Sequence, residues 1–341
     1  MSDNATHGAA WTRSWTEGDD SLFAKRPAPV DRGSRYRTLT YEVTGRIARI
    51  TFDRAAYGNS ITWDTPTELA DAVELADLDP RVHVILVSGR GKGFCGGYDL
   101  TAFGENAFGH EEDRAAEDTT SGTVLDPIVQ ARNHNPASAW DPMVDYAMMS
   151  RFNRGFASLL HANKPTVAKL HGFCVAGGTD IALYADQIIC ADDTKIGYPP
   201  TRVWGVPAAG MWAHRLGDQR AKRLLLTGDC LSGKQAEEWG LAVEAPPAAE
   251  LDERTEDLLE RIARMPINQL MMVKLALNSA LHAQGVTNSA MISTVFDGIS
   301  RHTREGYAFQ QRAGEAGFRA AVADRDEPFG DYKRAQFTTD G

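Results

Sequence analysis

The chain has 341 residues and a formal net charge of −10, with 43% hydrophobic and 24% charged residues. This composition is ordinary for a globular enzyme, and the length allows one large domain or two. The negative charge argues against a nucleic-acid partner, because phosphate binding needs Lys and Arg in excess on one face. No apolar segment is long enough to span a bilayer and no secretion signal is visible, so we expect a cytoplasmic protein with no membrane partner.

The first part of the chain predicts an arm followed by a β-rich start. Residues 1–35 are polar and contain Pro27 and Pro29, so we expect a poorly ordered N-terminal arm. Apolar residues then alternate on both sides of Thr44-Gly45, which predicts a β-hairpin. Apolar residues at helical spacing predict a helix over 65–77, and the run VHVILVSG predicts a buried strand.

A change of character at 101–150 indicates an insertion. The segment is acidic, carries several prolines and lacks clear periodicity, and such stretches are usually functional or mobile. Beyond it, MMSRFNRGFASLLHA predicts a helix, PTVAKLHG a strand, IALYAD a helix and QIICAD a strand, with two more helices near Ala221 and Gln235. From Leu251 onward the apolar spacing is helical, so we divide the chain into 1–35, 36–250 and 251–341.

Two glycine-rich turns, about eighty residues apart, are the most informative motifs. GKGFCGGYDL at 91–100 and HGFCVAGGTDIAL at 171–183 each follow a predicted strand and lead toward a segment compatible with a helix. Glycine lets the backbone approach a ligand, and the first N–H groups of a helix have no partner within the helix. Two such turns could direct backbone donors at one oxyanion.

Other interpretations of these turns fit less well. Gly91, Gly93 and Gly96 satisfy GxGxxG, but a poor crossover helix follows and a strand–helix unit precedes, which disfavours a dinucleotide site. A phosphate-binding P-loop fails because Lys92 is followed by Gly93 instead of Ser or Thr. Two purely structural turns remain possible. The four cysteines lack metal-ligand spacing, so we expect buried reduced thiols and no metal site.

With these motifs the chain resembles the crotonases, the enoyl-CoA hydratase/isomerase superfamily, from about Tyr36 to Tyr332 outside the insertion. FCGGYDL at 94–100 and the second glycine turn look like the two oxyanion segments of that family. Further matches are Asn59, KIGYPPTRVWGVP at 195–207, RLLLTGDCLSGKQAEEWGLA at 223–242 and GFRA at 317–320.

The resemblance implies an α/β fold, a crotonase-like β-β-α spiral core with a helical C-terminal oligomerisation region, assembled as a trimer or a dimer of trimers. It implies an acyl-CoA substrate, with coenzyme A as part of the substrate and no separate cofactor. The oxyanion donors would be the N–H groups of Tyr98 and Gly177. Adenine would lie near Phe94, Cys95 and Gly96, with Lys92 and Lys274 as candidates for the phosphates.

The expected proton-transfer groups are only half present. Hydratases of this family usually place glutamates at the positions that match Asp180 and Pro200, so the first acid fits and the second is missing. Water addition needs one group to accept the proton of water and another to deliver a proton to the α carbon. Possible substitutes in the insertion are Asp126, Asp141, Asp145 and His134.

Three functions therefore stay open at this point. The leading prediction is a lyase of the enoyl-CoA hydratase type in lipid or fatty acid metabolism, with Asp180 as the catalytic acid or base. The second is an isomerase or a carbon–carbon bond hydrolase that uses the same enolate and needs the second carboxylate less. The third is a non-catalytic acyl-CoA binding protein, for which Pro200 is the supporting feature.

Overall fold

The computed structural model describes residues 36–100, 123–331 and 335. The predicted N-terminal arm at 1–35 and the first part of the predicted insertion, 101–122, lie outside the described residues. The strands are β1 (Leu39–Thr44), β2 (Ile47–Phe52), β3 (Val84–Gly89), β4 (Thr166–Leu170), β5 (Phe173–Val175), β6 (Gln187–Cys190), β7 (Lys195–Gly197) and β8 (Cys230–Leu231).

Helices occupy most of the remaining described chain. They are α1 (Thr65–Leu78), α2 (Pro127–Asn133), α3 (Pro142–Phe156), α4 (Ser158–His161), α5 (Gly177–Ala182), α6 (Trp212–Leu225), α7 (Gly233–Glu238), α8 (Leu251–Ala263), α9 (Ile267–Ala283), α10 (Val286–Arg301), α11 (Arg304–Ala316) and α12 (Phe318–Asp326). Short 3₁₀ turns lie at Ala55–Tyr57, Pro199–Arg202, Ala248–Glu250 and Glu327–Phe329.

The strands form two sheets, as the predicted spiral core requires. The larger sheet has the order β1-β2-β3-β4-β6, and the smaller has the order β5-β7-β8. The predicted hairpin is confirmed, because β1 and β2 pair antiparallel with Thr44 opposite Ile47, while β2, β3, β4 and β6 run parallel to one another. Parallel strands are covered on both faces, which explains why β3 reads as a continuous apolar run.

The second part of the predicted insertion is helical, although its sequence shows no clear periodicity. Helices α2 and α3 both begin with an aspartate followed by proline: Asp126 Oδ1 accepts from the Ile128 N–H, and Asp141 Oδ1 from the Met143 N–H, each at 2.9 Å. An aspartate cap with proline at the first helical position is a helix start, because proline lacks only an N–H that the helix does not use there. The prolines at 127 and 142 therefore begin helices instead of interrupting them.

Five helices from Leu251 to Asp326 confirm the helical C-terminal region. Among them, α10 packs against α3 of the core and against α9 and α11. This placement matters for the site, because α10 brings residues from near the end of the chain to a cavity that is also lined by residues between Trp63 and Gly205. The helix predicted through IALYAD at 181–186 begins and ends earlier than expected, since α5 begins inside the second glycine turn and ends at Ala182.

Candidate active site

The two glycine turns lie side by side and touch through their backbones. Cys95 and Cys174 pair in a short parallel bridge, and the Val175 N–H donates to the Cys95 carbonyl oxygen at 3.1 Å. A Cβ built on Gly178 would lie 2.5 Å from that same carbonyl oxygen, so only glycine permits this approach. The structure thus brings together segments that are about eighty residues apart in the sequence.

Ala176, at the centre of the second turn, has a strained backbone. Its φ is +53° and its ψ is −130°, a conformation that residues with a Cβ rarely adopt. Such conformations cost about 1–3 kcal/mol and are concentrated at functional sites. The Ala176 N–H donates to the Gly197 carbonyl oxygen at 3.0 Å, which helps to hold the turn. Gly177 is the first residue of α5, so its N–H has no acceptor within the helix.

Asn59, named above only as a match to the family, stabilises the first glycine turn through hydrogen bonds of its side chain. Its Nδ2 donates to the Arg90 and Gly93 carbonyl oxygens at 2.8 and 2.9 Å, and its Oδ1 accepts from the Arg54 N–H at 3.0 Å. Asp99, two residues after the last glycine of this turn, forms a 2.8 Å ion pair with Arg54. Asp99 therefore stabilises the turn.

Asp180 lies on α5 directly behind the second turn, with only 1% of its surface exposed. Its Oδ1 accepts a hydrogen bond from the Ala209 N–H at 3.1 Å, whereas its Oδ2 is buried with no hydrogen-bond partner among the described residues. Burial raises the pKa of Asp180 well above its ordinary value, and the negative charge of Asp297 adds to the rise, against a smaller opposing effect of the Ala209 hydrogen bond. Both the burial and the nearby negative charge favour the protonated form of the Asp180 carboxyl.

A cavity of about 260 Å³ opens beside the turns. Its apolar wall includes Trp63, Met148, Met149, Phe152 and Trp204, and Gly96 and Ala176 contribute from the two turns. The polar wall carries Gln130, His134, Tyr98, Tyr198, Asp297, Arg301, Gln310 and Arg325. An apolar pocket with a few convergent polar groups is the usual form of a small-molecule site.

Tyr98 lines the cavity, and its ring shapes the wall next to the second glycine turn. A Cβ on Gly177 would be 2.7 Å from Tyr98 Cε2, so the ring packs directly against the Gly177 backbone. The ring also meets Phe152 edge to face, with centroids 5.8 Å apart. Tyr98 and Gly177, the two predicted oxyanion residues, are therefore neighbours in space.

Pro200 lines the same cavity. Most of the residues predicted to replace the acid that is absent at this position have other roles. Asp126 and Asp141 cap α2 and α3. Asp145 is fully buried. Only His134 contributes to the cavity wall. The sequence analysis missed Asp297 and Arg301, which lie on that wall and form an ion pair one helical turn apart on α10.

Asp145 is the centre of a buried polar network behind the cavity. Its Oδ2 accepts hydrogen bonds from Asn133 Nδ2, Trp140 Nε1 and His302 Nε2 at 3.0, 2.8 and 2.9 Å. Its Oδ1 lies 3.4 Å from both Arg301 Nη1 and His134 Nε2. His134, Asp145 and His302 offer ligand atoms within 4.8 Å of one another. A carboxylate that already accepts from three donors beside an arginine is poorly suited to a cation, so we interpret the cluster as a hydrogen-bond network.

The residues predicted to bind coenzyme A have different environments. Lys92 and Gly96 are exposed, and Gly96 borders the cavity. The side chains of Phe94 and Cys95 are fully buried, so a ligand could reach these two residues only through their backbones. All four cysteines are buried and unpaired, as the sequence predicts.

The predicted phosphate contact of Lys274 is wrong. Its ammonium is buried and bonded to Asp186 Oδ2, the Leu159 carbonyl oxygen and the Lys164 carbonyl oxygen at 2.9, 2.9 and 3.0 Å. These three acceptors use all three donors of an ammonium group. Lys274 therefore joins α9 to the core and has no donor left for a ligand.

We expect Lys274→Met to lower stability without weakening ligand binding. The change leaves buried acceptors unsatisfied, at a cost of about 1–3 kcal/mol. Lys92→Met is the matched control, because Lys92 is exposed and its loss should leave the unfolding midpoint unchanged. Thermal unfolding and coenzyme A affinity should be measured for both variants. An unaltered midpoint for Lys274→Met together with weaker binding would restore the phosphate role.

Two sheets, five C-terminal helices and paired glycine turns beside a cavity define a protein of the crotonase fold. The sequence model of the enoyl-CoA hydratase/isomerase family matches residues 42–126 and 141–313. The chain therefore belongs to the enoyl-CoA hydratase/isomerase family. Helix α2 lies entirely in the gap between the two matched stretches.

Similar proteins agree with this assignment. The crystal structure of an enoyl-CoA hydratase from Mycobacterium smegmatis is 64% identical, with a TM-score of 0.83, and the match covers 91% of this chain and 100% of that one. A Mycobacterium tuberculosis protein named "Putative enoyl-CoA hydratase EchA13" is 29% identical over 283 residues, 77% of this chain and 83% of its own. The hydroxycinnamoyl-CoA hydratase-lyase of Pseudomonas fluorescens is 26% identical over 232 residues, 67% and 73% of the two chains. Among the described residues, no helix is both long and apolar enough to span a bilayer.

Proposed function

We propose that the chain is a lyase that adds water reversibly to the double bond of a 2-enoyl-CoA thioester. The family assignment and the names of its relatives support this class of substrate. The observation that carries the proposal is Asp180, a buried carboxyl with an unpartnered oxygen directly behind two joined glycine turns. Such a group in an apolar site is suited to proton transfer next to a carbonyl.

In this proposal the thioester oxygen is held by the backbone N–H groups of Tyr98 and Gly177. These donors stabilise the negative charge that develops on the oxygen as the α carbon gains or loses a proton. Asp180 carries that proton. The Tyr98 ring packs against Gly177, so we expect the ring to rotate away when the thioester binds. The shape of the acyl group would then influence whether the thioester oxygen reaches the two N–H donors.

Pro200 favours a second candidate, isomerisation or carbon–carbon bond hydrolysis through the same enolate. Double-bond migration moves one proton from one carbon to another and can use a single carboxyl group. Pro200 also leaves room for the third possibility, an acyl-CoA binding protein that has lost its chemistry.

Purified protein incubated with a series of 2-enoyl-CoA and 3-enoyl-CoA thioesters separates these functions. We expect loss of the conjugated enoyl absorbance and a product heavier by one water. Migration of the double bond without water gain would replace the first candidate with the second. Saturable binding of every thioester with no turnover would identify a binding protein.

Assembly, cofactor use and location belong to the same proposal. A trimer or a dimer of trimers would cover the apolar side chains that α9 and α10 leave exposed, among them Met272, Leu277 and Phe296. Coenzyme A enters as part of the substrate with no separate cofactor, and the cytoplasm is the compartment in which we place the reaction.

A further inference from the structure

We propose that Asp297 is the second proton-transfer carboxylate, the group that activates the water molecule in place of the acid missing at Pro200. This inference rests on the proposed hydration of a thioester. It assigns the role to α10, in the C-terminal helical region, instead of the loop that carries the second acid in related hydratases.

The position of the Asp297 carboxylate supports this role. Asp297 lines the cavity together with Pro200 and Gly205, although only 5% of its surface is exposed. Its Oδ1 accepts a hydrogen bond from the Val206 N–H at 3.3 Å. The 199–206 segment is compact, since a Cβ built on Gly205 would lie 2.9 Å from Pro200 Cβ. The carboxylate is therefore anchored to the same loop that lacks the expected acid.

The surrounding charges give the two carboxyl groups different roles. Arg301 Nη2 donates to Asp297 Oδ2, so this carboxylate has a cation as its partner. Among the described residues, Asp180 Oδ1 accepts one backbone N–H, that of Ala209, and its Oδ2 has no hydrogen-bond partner. The phenols of Tyr98 and Tyr198 line the cavity together with Asp297. Burial raises the pKa of each phenol, and the negative charges of Asp180 and Asp297 add to the rise. Pairs of carboxyls in contrasting environments are a common source of an acid and a base.

The hydration step then balances. The Asp297 carboxylate accepts one proton of a water molecule while the oxygen of that water forms a bond to the β carbon. The π electrons move toward the thioester, where the N–H groups of Tyr98 and Gly177 hold the negative charge. The protonated Asp180 delivers its proton to the α carbon and becomes a carboxylate. The two groups have then exchanged protonation states, and solvent resets them before the next turnover.

Two reactions measured on the same variants test this division. Hydration of an enoyl-CoA needs both groups, whereas exchange of the α protons of a saturated acyl-CoA in D₂O needs only Asp180 and the oxyanion donors. We expect Asp297→Asn to lower hydration kcat by about 10²- to 10⁴-fold and to leave α-proton exchange within about threefold. Asp180→Asn should lower both by about 10²- to 10⁴-fold. Asp218→Asn, which removes an exposed i,i+4 partner of Lys222, is the matched control and should change neither.

Each outcome supports or overturns the assignment. Equal loss of hydration and exchange in Asp297→Asn would show that Asp297 acts through the architecture of the site, and unchanged hydration would show that it has no role. If Asp297→Asn does not fold, Asp297→Glu is the second variant, because it keeps the charge beside Arg301. A loss of hydration with normal α-proton exchange would support the assignment. Equal effects of Asp297→Glu on hydration and on exchange would overturn it. Absence of hydration in the unmodified protein would reject the proposed function itself, and the role of Asp297 with it.

Discussion

Replacing Asp180 by asparagine is expected to lower kcat by about 10²- to 10⁴-fold, the usual contribution of a positioned acid or base. The amide oxygen can still accept from the Ala209 N–H, so the geometry of α5 should be preserved. The amide cannot exchange a proton with the α carbon. Because the thioester would be held by backbone donors of other residues, KM should change little. Steady-state kinetics on the best enoyl-CoA substrate measure both constants.

The same variant should be more stable than the unmodified protein at neutral pH. The pKa of Asp180 is raised on folding above its ordinary value of 3.8, mainly by burial. Folding therefore favours the protonated form, and the carboxyl costs stability as pH rises from that value toward the raised one. Asparagine is neutral throughout and avoids this cost. Thermal unfolding at pH 5 and pH 8 should show a gain for Asp180→Asn that is larger at pH 8.

Asp99→Asn is the matched control, since Asp99 occupies the corresponding place after the first turn but pairs with Arg54. We expect this control to lose stability and to keep a measurable kcat. An Asp180→Asn enzyme that turns over at the normal rate would refute the proton-transfer role. A less stable Asp180→Asn protein would refute the conclusion that burial of the carboxyl is costly.

The sequence was sufficient for those parts of the site that depend on local backbone chemistry. Glycine is required at 97, 177 and 178 because a Cβ there would lie 2.5 to 2.8 Å from atoms of the neighbouring segments, and such glycines stand out beside apolar strands. The Asp-Pro pairs at 126–127 and 141–142 also indicate helix starts. These starts were not predicted, because the sequence around them is acidic and contains further prolines. The described part of the insertion could therefore have been predicted as helical.

Contacts over long sequence distances were the part that could not be predicted. Asp297 reaches the cavity only because α10 packs against α3, and the two helices are more than 120 residues apart. One signal was available: Asp297 and Arg301 form an i,i+4 pair on a helix with otherwise apolar and small side chains. The prediction for Lys274 also depended on contacts that are distant in the sequence. Its three acceptors come from the 159–164 segment and from Asp186. No feature of its own helix shows that it is buried.

Replacing Asp145 by alanine is expected to destabilise the protein by about 3–5 kcal/mol, the range for removing one partner from a buried ion pair. The change leaves Arg301 with one carboxylate instead of two and removes the acceptor of Asn133, Trp140 and His302. Asp141→Ala is the matched control in the same segment. It removes only a helix cap and should cost about 1 kcal/mol.

The pH dependence of this loss follows from the network. Burial disfavours the charge on Asp145, but the nearby His134, the hydrogen bond from His302 and the charge of Arg301 outweigh it and hold the pKa of the carboxyl well below its ordinary value of 3.8. A lowered pKa contributes stability that is complete above the unfolded value and disappears as pH falls through the folded one. The difference between the unmodified protein and Asp145→Ala should therefore be largest above about pH 5 and shrink in stronger acid.

Urea unfolding of the unmodified protein and both variants at pH 3, 4, 5 and 7 measures this difference. A cost below about 1 kcal/mol at pH 7, or one that grows in acid, would contradict a charged Asp145 at the centre of the network. The network also acts on the cavity, because Arg301 connects Asp145 to Asp297. Asp145→Ala should thus reduce hydration more than α-proton exchange, as expected if the network behind the cavity holds the water-activating carboxylate in place.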